Sequence, residues 1–184
     1  KSTLFNRITG AEVLAKDMEA RVQAAIRWSG LTETNAARTQ ALIVSSEPAV
    51  EAEFKDVITA TSAQISEVQK SLESRALSEA DKAQMARIAS ARKVMIDLRG
   101  QARELKQAGQ QEQAITLVKQ SYNPAVATYL QTLRDFVQQQ QDSAAAQQRA
   151  LADSRMLTVQ IAALAVGLLL LSIIVGAYYL IGSI

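Results

Sequence analysis

The chain of 184 residues contains no cysteine and no histidine. Metal sites built from nitrogen and sulfur ligands, cysteine nucleophiles and histidine general bases are therefore excluded within it. Its seven glycines form no loop of the kind that cradles phosphate groups. From this sequence we expect no enzyme active site, no metal and no other cofactor.

The sequence has only two prolines, and aromatic residues make up 4% of it. It is rich in alanine, glutamine, glutamate, lysine and leucine. This composition predicts an all-α fold. Residues 47–80 carry seven acidic and three basic side chains, whereas residues 81–106 carry seven basic and three acidic ones, so helices formed by the two segments attract each other. The basic segment lacks aromatic platforms and a recognition motif, and we expect no nucleic-acid partner.

Residues 156–184 contain no charged side chain. A helix that crosses a bilayer needs about 20 apolar residues, and a buried core helix without a polar face would need an unusually large domain around it. We therefore predict a membrane span over residues 156–184, with Tyr178 and Tyr179 at its far interface, and a separate domain over residues 1–155.

The first residue is Lys1, which indicates a fragment of a longer chain, and residues 1–8 suit the exit from an earlier membrane helix. Lysine and arginine bias can be counted on only one side of the span and does not fix its orientation. We favour an extracytoplasmic domain, with which the absence of cysteine is compatible, because a bundle of this size needs no disulfides.

Helix signals divide the domain into long segments. A first predicted helix covers residues 4–44, and Pro48 marks the start of the second. Ser78 and Asp81 form a predicted capping box that opens the third helix, and Gly109 suits its C-terminal cap. The positions predicted to face inward on the first and third helices are Ala11, Leu14, Met18, Ala25, Trp28, Thr32, Asn35, Thr39 and Leu42, and Met85, Ile88, Arg92, Met95, Arg99 and Ala102.

The fourth helix is predicted to open at Asn123 and Pro124, after a short connecting helix over residues 112–119, and to continue unbroken into the membrane span. Short turns between long helices predict an antiparallel, up-down four-helix bundle. The glutamine run at residues 138–141 is expected to form a solvated helix face.

Two arginines occupy interior positions of the third helix. Arg92 and Arg99 are seven residues apart on one face, so their alpha carbons lie about 10.5 Å apart and their side chains can converge. An inward arginine must meet an acid, a carbonyl group, water or an external anion. The alternative is that both tilt outward and pair with Glu53, Glu67 or Glu73 of the second helix.

Polar residues of the other helices lie at a similar height. Arg38, Thr61 and Tyr129 join Arg92 and Arg99 as predicted ligand-binding residues, because arginines bind carboxylates bidentately and hydroxyl groups orient the remaining oxygens. No inward acid is evident that would bind an ammonium group. The pattern predicts a small organic acid with two or three carboxylates as the ligand.

Three polar residues of the first helix have two interpretations. Thr32, Asn35 and Thr39 either complete the same pocket or set the register of a subunit contact. We assign them to a predicted dimer interface.

Three segments resemble the sensory region of bacterial methyl-accepting chemotaxis proteins with a four-helix-bundle ligand-binding domain. They are RVQAAIRWSGLTETNAARTQALI at residues 21–43, NPAVATYLQTL at residues 123–133, and the apolar span from Leu157. The resemblance implies a homodimer in the cytoplasmic membrane, with a periplasmic bundle between two membrane helices and a cytoplasmic part that works with a chemotaxis kinase and adaptor. Some members sense amino acids, and others sense malate, succinate or citrate.

The sequence departs from the amino-acid sensors of this family, which resemble one another in carrying paired arginines on the first helix at the dimer contact. Here Arg38 is the natural match on that helix, and the conspicuous pair is Arg92 and Arg99 on the third. We therefore expect a pocket inside one subunit, a chemoreceptor for organic acids such as citrate or malate, and signalling by displacement of the fourth helix. The alternatives are the same sensor on a histidine kinase or cyclase, and a membrane-tethered helical scaffold without a ligand.

Overall fold

The computed structural model describes residues 2–182, with the side chains of residues 10–176 and of Tyr178. The described residues are helical apart from short turns and contain no strand, which confirms the predicted all-α class. The helices are α1 (Ser2–Val44), α2 (Pro48–Glu73), α3 (Glu79–Gln107), α4 (Gln111–Leu117) and α5 (Asn123–Gly182), with a π-helical turn at Val118–Tyr122 between α4 and α5.

The predicted start and stop signals of α3 are confirmed. The Ser78 hydroxyl accepts a bond from the Asp81 amide at 3.1 Å, and the Asp81 carboxylate accepts one from the Ser78 amide at 3.2 Å. At the other end Gly109 adopts φ +76°, and the Gly109 and Gln110 amides donate to the carbonyls of Lys106 and Leu105. This Schellman arrangement needs the left-handed conformation that glycine adopts without strain.

The α-helix α5 begins at Asn123, as predicted, but it does not follow a non-helical turn. α4, the π turn and α5 follow one another without a break from Gln111 onward. A proline inside an α-helix removes one hydrogen bond and crowds the carbonyl four residues earlier. Here the turn before Pro124 is widened, and the Asn123 amide donates to Val118, five residues back. The predicted connecting helix is thus the first part of the fourth helix.

Residues 16–142 form one compact unit, and the segments before Lys16 and after Asp142 form another. Within residues 16–142, four helical segments pack as an antiparallel bundle, because contacts between neighbours run in opposite chain directions. These contacts are Asn35–Ile58 (α1 with α2), Arg21–Ala76 (α1 with the turn after α2), Arg92–Gln69 and Arg99–Ser62 (α3 with α2), Gln84–Thr132 and Asp81–Gln140 (α3 with α5), and Trp28–Tyr129 (α1 with α5).

From Ala25 onward the bundle core follows the predicted three-and-four spacing, whereas Leu14, which was predicted to face inward, is 40% exposed. The fully buried large side chains of the core include Trp28, Ile88, Tyr129, Leu133 and Phe136. At one end of the bundle, the last carbonyls of α1 accept hydrogen bonds from Lys106 and Gln111, which satisfies acceptors that a helix terminus leaves open.

The other end of the bundle is held by a buried polar network around Asp81 and Arg21, each 5% exposed. Arg21 pairs with Asp17 at 2.6 Å and lies 3.8 Å from Asp81. Gln139 and Gln140 both donate to Asp81 at 2.7 Å, and Gln140 is only 1% exposed. The prediction of a solvated face for the glutamine run is therefore wrong at these two positions, where a buried carboxylate requires donors.

The apolar part of α5 is a candidate membrane span. Its most apolar stretch of 18 residues has no buried member, and the side chains described between Met156 and Gly176 are all exposed. A helix that presents apolar side chains in every direction is suited to lipid. Tyr178 is exposed, and the side chain of Tyr179 lies outside the described residues.

Candidate ligand site

A small polar cavity lies inside the bundle. Its volume is about 20 Å³, enough for about one water molecule. α1, α2, α3, the π turn and α5 all contribute to its walls. The lining residues are Thr32, Asn35, Ala36, Thr39, Ser62, Ile65, Arg92, Met95, Ile96, Arg99, Tyr122 and Tyr129.

Arg92 lines the cavity from α3 and binds α2. Its guanidinium donates to Gln69 Oε1 at 2.6 Å, to Ser66 Oγ at 2.9 Å and to the Ser62 carbonyl at 3.4 Å. All three acceptors are uncharged. Arg92 thus faces the bundle interior, as predicted. It is half-buried, and its hydrogen-bond partners among the described residues are all neutral.

Arg99 lies one heptad further along the same face of α3. Within the described part of the chain it donates one hydrogen bond, a long one of 3.5 Å to Ser62 Oγ. Burial lowers the pKa of Arg99 from its ordinary value; Tyr122 opposes this shift, and the positive charges of Arg103 and Arg92 add to it. An arginine stays protonated in proteins, so this shift reports how poorly the surroundings stabilise its charge.

No carboxylate oxygen within the described part of the chain lies within 4.0 Å of Arg38, Arg92, Arg99 or Arg103. The alternative pairing with Glu53, Glu67 or Glu73 is therefore absent from the structure. The ion pairs of the described residues are elsewhere, among Asp17, Arg21, Arg75 and Asp81 at the far end of the bundle and on the exposed face of α3. Arg38, Arg92, Arg99 and Arg103, which we call the arginine cluster, therefore carry positive charge that no neighbouring carboxylate of the described residues neutralises.

Tyr129 reaches the cavity from α5. Its hydroxyl accepts a bond from Trp28 Nε1 at 2.8 Å and lies 3.5 Å from the Thr32 hydroxyl. Since the Trp28 bond uses an acceptor position, the phenol proton remains available for an anion. Burial raises the pKa of Tyr129, opposed in part by these two hydrogen bonds and by the charge of Arg92, so the group remains a neutral donor.

The three residues predicted for a dimer interface lie inside the chain. Thr32, Asn35 and Thr39 are 2%, 5% and 2% exposed, and all line the cavity. The Asn35 amide nitrogen donates to the Ile58 carbonyl at 3.2 Å and to Ser62 Oγ at 3.1 Å, while the Thr39 hydroxyl donates to the Asn35 carbonyl at 2.8 Å.

Arg38 and Thr61 are in contact with each other and are not among the residues that line the cavity. The Arg38 guanidinium donates to Thr61 Oγ1 at 3.4 Å, which links α1 to α2. Thr61 is buried and Arg38 half-buried. The structure therefore brings Arg92, Arg99 and Tyr129 together and leaves the Arg38–Thr61 pair beside them.

Several site residues were missed by sequence reasoning. Tyr122 lines the cavity, and its spacing of seven residues from Tyr129 was the available signal. Arg103 and Lys55 line an adjoining cavity of about 10 Å³ that shares Thr39 and Arg99 with the first. Arg103 follows Arg99 by four residues, which places both on one helix face.

Among the described residues, no group of three or more histidine, cysteine, aspartate or glutamate side chains is placed to hold a metal ion. The site can instead offer guanidinium, amide and hydroxyl groups to an anion.

A comparison with protein families decides what kind of module this is. The family described as a four helix bundle sensory module for signal transduction matches residues 22–154, which contain the whole arginine cluster and the cavity. The chain belongs to this family. The sensory module is of the kind found in membrane chemoreceptors, and the family is one of signal transduction rather than of enzymes. A comparison of the sensory module with curated proteins gave no match.

Proposed function

We propose that this sensory module binds a small di- or tricarboxylate, such as citrate or malate, in the cavity lined by Arg92 and Arg99. One observation carries the proposal: these arginines, with Arg38 and Arg103 nearby, have no carboxylate partner within the described residues. Buried or half-buried charges are normally paired, and a ligand with several carboxylates supplies the missing counter-charge.

The chemistry of the partners favours displacement by an anion. Arg92 is held by an amide, a hydroxyl and a carbonyl, which are neutral acceptors, whereas a carboxylate brings a full negative charge and can accept from both arms of the guanidinium group at once. Arg99, with one long bond, is almost free to bind a second carboxylate. Tyr129 and Thr32 supply hydroxyl groups beside them.

The size of the cavity links binding to movement. A volume of about 20 Å³ is far below the roughly 300 to 1,000 Å³ of ligand pockets, so a dicarboxylate enters only if Arg92 leaves its partners on α2 and the helices shift. α5 contributes Tyr129 to the cavity and, further along the same helix, the apolar segment. We propose displacement of α5 as the signal that passes toward the membrane.

The remaining assignments follow from the positions of the residues. Thr32, Asn35 and Thr39 are proposed to serve the cavity rather than a dimer contact, because each is buried within one chain. Arg38 and Thr61 are proposed to flank the site and to take part when the helices shift.

We further propose a homodimer in the bacterial cytoplasmic membrane, with residues 1–155 in the periplasm and residues 156–184 as a membrane span. The proposed output is coupling to a chemotaxis kinase and adaptor.

Isothermal titration of the full chain in lipid nanodiscs tests the proposal with citrate and malate. Arg92→Ala or Arg99→Ala should weaken binding by about 2 kcal/mol or more, roughly 30-fold. Arg87→Ala is the matched control, because Arg87 is an exposed arginine of α3 that bonds within its own helix. Unchanged affinity in both variants would remove the arginine cluster from the site.

Thermal melting separates the sensor from a ligand-free helical scaffold. A bound acid raises the melting temperature in proportion to the logarithm of its excess over the dissociation constant, whereas a scaffold responds only to protein concentration. A histidine kinase or cyclase as the output in place of the chemotaxis machinery would leave both measurements unchanged, since the sensory module is the same.

A further inference from the structure

Among the described residues, two buried polar atoms of the cavity walls have no hydrogen-bond partner. They are Asn35 Oδ1 and the Tyr122 hydroxyl, and the two residues are 5% and 1% exposed. Both residues line the cavity together with Arg92 and Arg99. Unpaired buried polar atoms are rare in native proteins because each loses the hydrogen bonds that water would make.

The orientation of the Asn35 amide is fixed by its surroundings. Its nitrogen donates to the Ile58 carbonyl, which can only accept, and to Ser62 Oγ. A rotated amide would place two acceptors against each other. Asn35 Oδ1 is therefore an acceptor that requires a donor.

Tyr122 requires the opposite kind of partner. The neighbouring Thr39 hydroxyl gives its proton to the Asn35 carbonyl, and among the described residues the Tyr122 hydroxyl has no hydrogen-bond partner. Burial raises the pKa of Tyr122, opposed in part by Thr39 and by the charge of Arg99, so the phenol keeps its proton. The Tyr122 hydroxyl is thus a neutral donor that requires an acceptor.

A hydroxyl group of the ligand can satisfy both atoms at once. A carboxylate only accepts and leaves Asn35 Oδ1 unpaired, whereas an ammonium group only donates and would lie beside two arginines without an acid. A hydroxyl group donates one hydrogen bond and accepts others.

We propose that the site selects hydroxylated di- and tricarboxylates, with the ligand hydroxyl donating to Asn35 Oδ1 and accepting from the Tyr122 hydroxyl. The ligand carboxylates bind Arg92 and Arg99, so this inference rests on the proposed function. A site that hydrogen-bonds a ligand hydroxyl rejects the analogue without it, because its own polar atoms are then left unpaired.

Matched pairs of acids test the proposal on the full chain in nanodiscs. Citrate and tricarballylate differ only in one hydroxyl group, as do malate and succinate. We expect the hydroxylated member of each pair to bind about 10- to 100-fold more tightly. Tyr122→Phe should reduce this ratio severalfold without weakening tricarballylate, and the variant should fold because the Tyr122 hydroxyl bonds to no protein group. Asn35→Ala should reduce the ratio as well.

The possible outcomes distinguish a failure of the hydroxyl proposal from a failure of the proposed carboxylate binding. Arg92→Ala should weaken both members of a pair equally, since both present carboxylates. Equal affinities within the pairs, as expected if a water molecule bridges the two atoms, would overturn the hydroxyl proposal and leave the proposed function standing. Binding of none of the four acids would overturn the proposed function itself. A preference that survives in both Tyr122→Phe and Asn35→Ala would show that other residues recognise the hydroxyl and would overturn the assignment.

Discussion

Arg92 of α3 donates to Gln69 Oε1 of α2 at 2.6 Å, which is a short bond between a cation and a neutral amide. This bond ties the central residue of the arginine cluster to the neighbouring helix in place of a carboxylate. Because a carboxylate is the stronger acceptor for a guanidinium group, the contact is suited to exchange for a ligand. The same contact thus contributes to helix packing and competes with binding.

Removal of the competing amide should strengthen binding. We expect Gln69→Ala to raise citrate affinity about 10-fold or more, because Arg92 no longer breaks a bond made by a charged group, worth about 1.5 to 3 kcal/mol, before it binds the acid. Titration calorimetry on the full chain measures the change, with Gln64→Ala, an exposed glutamine of α2, as the control. Weaker binding in Gln69→Ala would show instead that Gln69 itself contacts the ligand.

Two buried tyrosines provide a matched pair for stability. Tyr129→Phe should lower the free energy of unfolding by about 1 to 3 kcal/mol, because it leaves Trp28 Nε1 buried without an acceptor. Tyr122→Phe removes a hydroxyl that has no protein partner and should change stability by less than about 0.5 kcal/mol. Urea unfolding followed by the fluorescence of Trp28, the single tryptophan, compares them, and equal losses would contradict the hydrogen-bond account.

The fold was largely predictable because its signals are local. A capping box at Ser78 and a glycine at position 109 mark helix ends by hydrogen bonds within a few residues. The start of α5 at Asn123 was predicted, but the helical chain that leads into it without a break was not, because the π turn depends on backbone bonds to residues five positions back. Proline is common in the first turn of a helix, so the sequence pattern at Asn123 and Pro124 indicated a new helix after a connection.

The site was only partly predictable. Arg92 and Arg99 were placed correctly on the inward face, because seam spacing determines the face on which a residue lies. The spacing from Met18 to Ala25 requires an inward residue at position 21, and Arg21 is indeed buried. It was not predicted to be inward because charged residues are rarely buried. The partners of Arg92 on α2 depend on the relative height of two helices, which spacing along one helix does not determine.

The polar network around Asp81 should contribute far more to stability than a surface pair on the same helix. Asp81→Ala removes one of the two hydrogen bonds of the α3 capping box, the one from the Ser78 amide, and leaves Arg21, Gln139 and Gln140 with fewer acceptors; we expect a loss of about 3 to 5 kcal/mol. Glu79→Ala removes an exposed ion pair with Lys82 and should cost less than about 1 kcal/mol. Thermal or urea unfolding of both variants decides this, and similar losses would show that the buried network adds little.

Alkaline pH should destabilise the bundle through its buried phenols. The pKa values of Tyr122 and Tyr129 are raised above 10.0 by burial, so the folded chain holds these protons more tightly than the unfolded chain does. The stability from each phenol is therefore fully present below pH 10 and is lost as the pH rises toward its folded-state pKa, with a slope of at most about 1.4 kcal/mol per pH unit and group. Unfolding free energies measured from about pH 9 to 11 should fall more steeply in the wild type than in Tyr122→Phe or Tyr129→Phe. Parallel curves for the three proteins would mean that neither phenol has a raised pKa in the folded state.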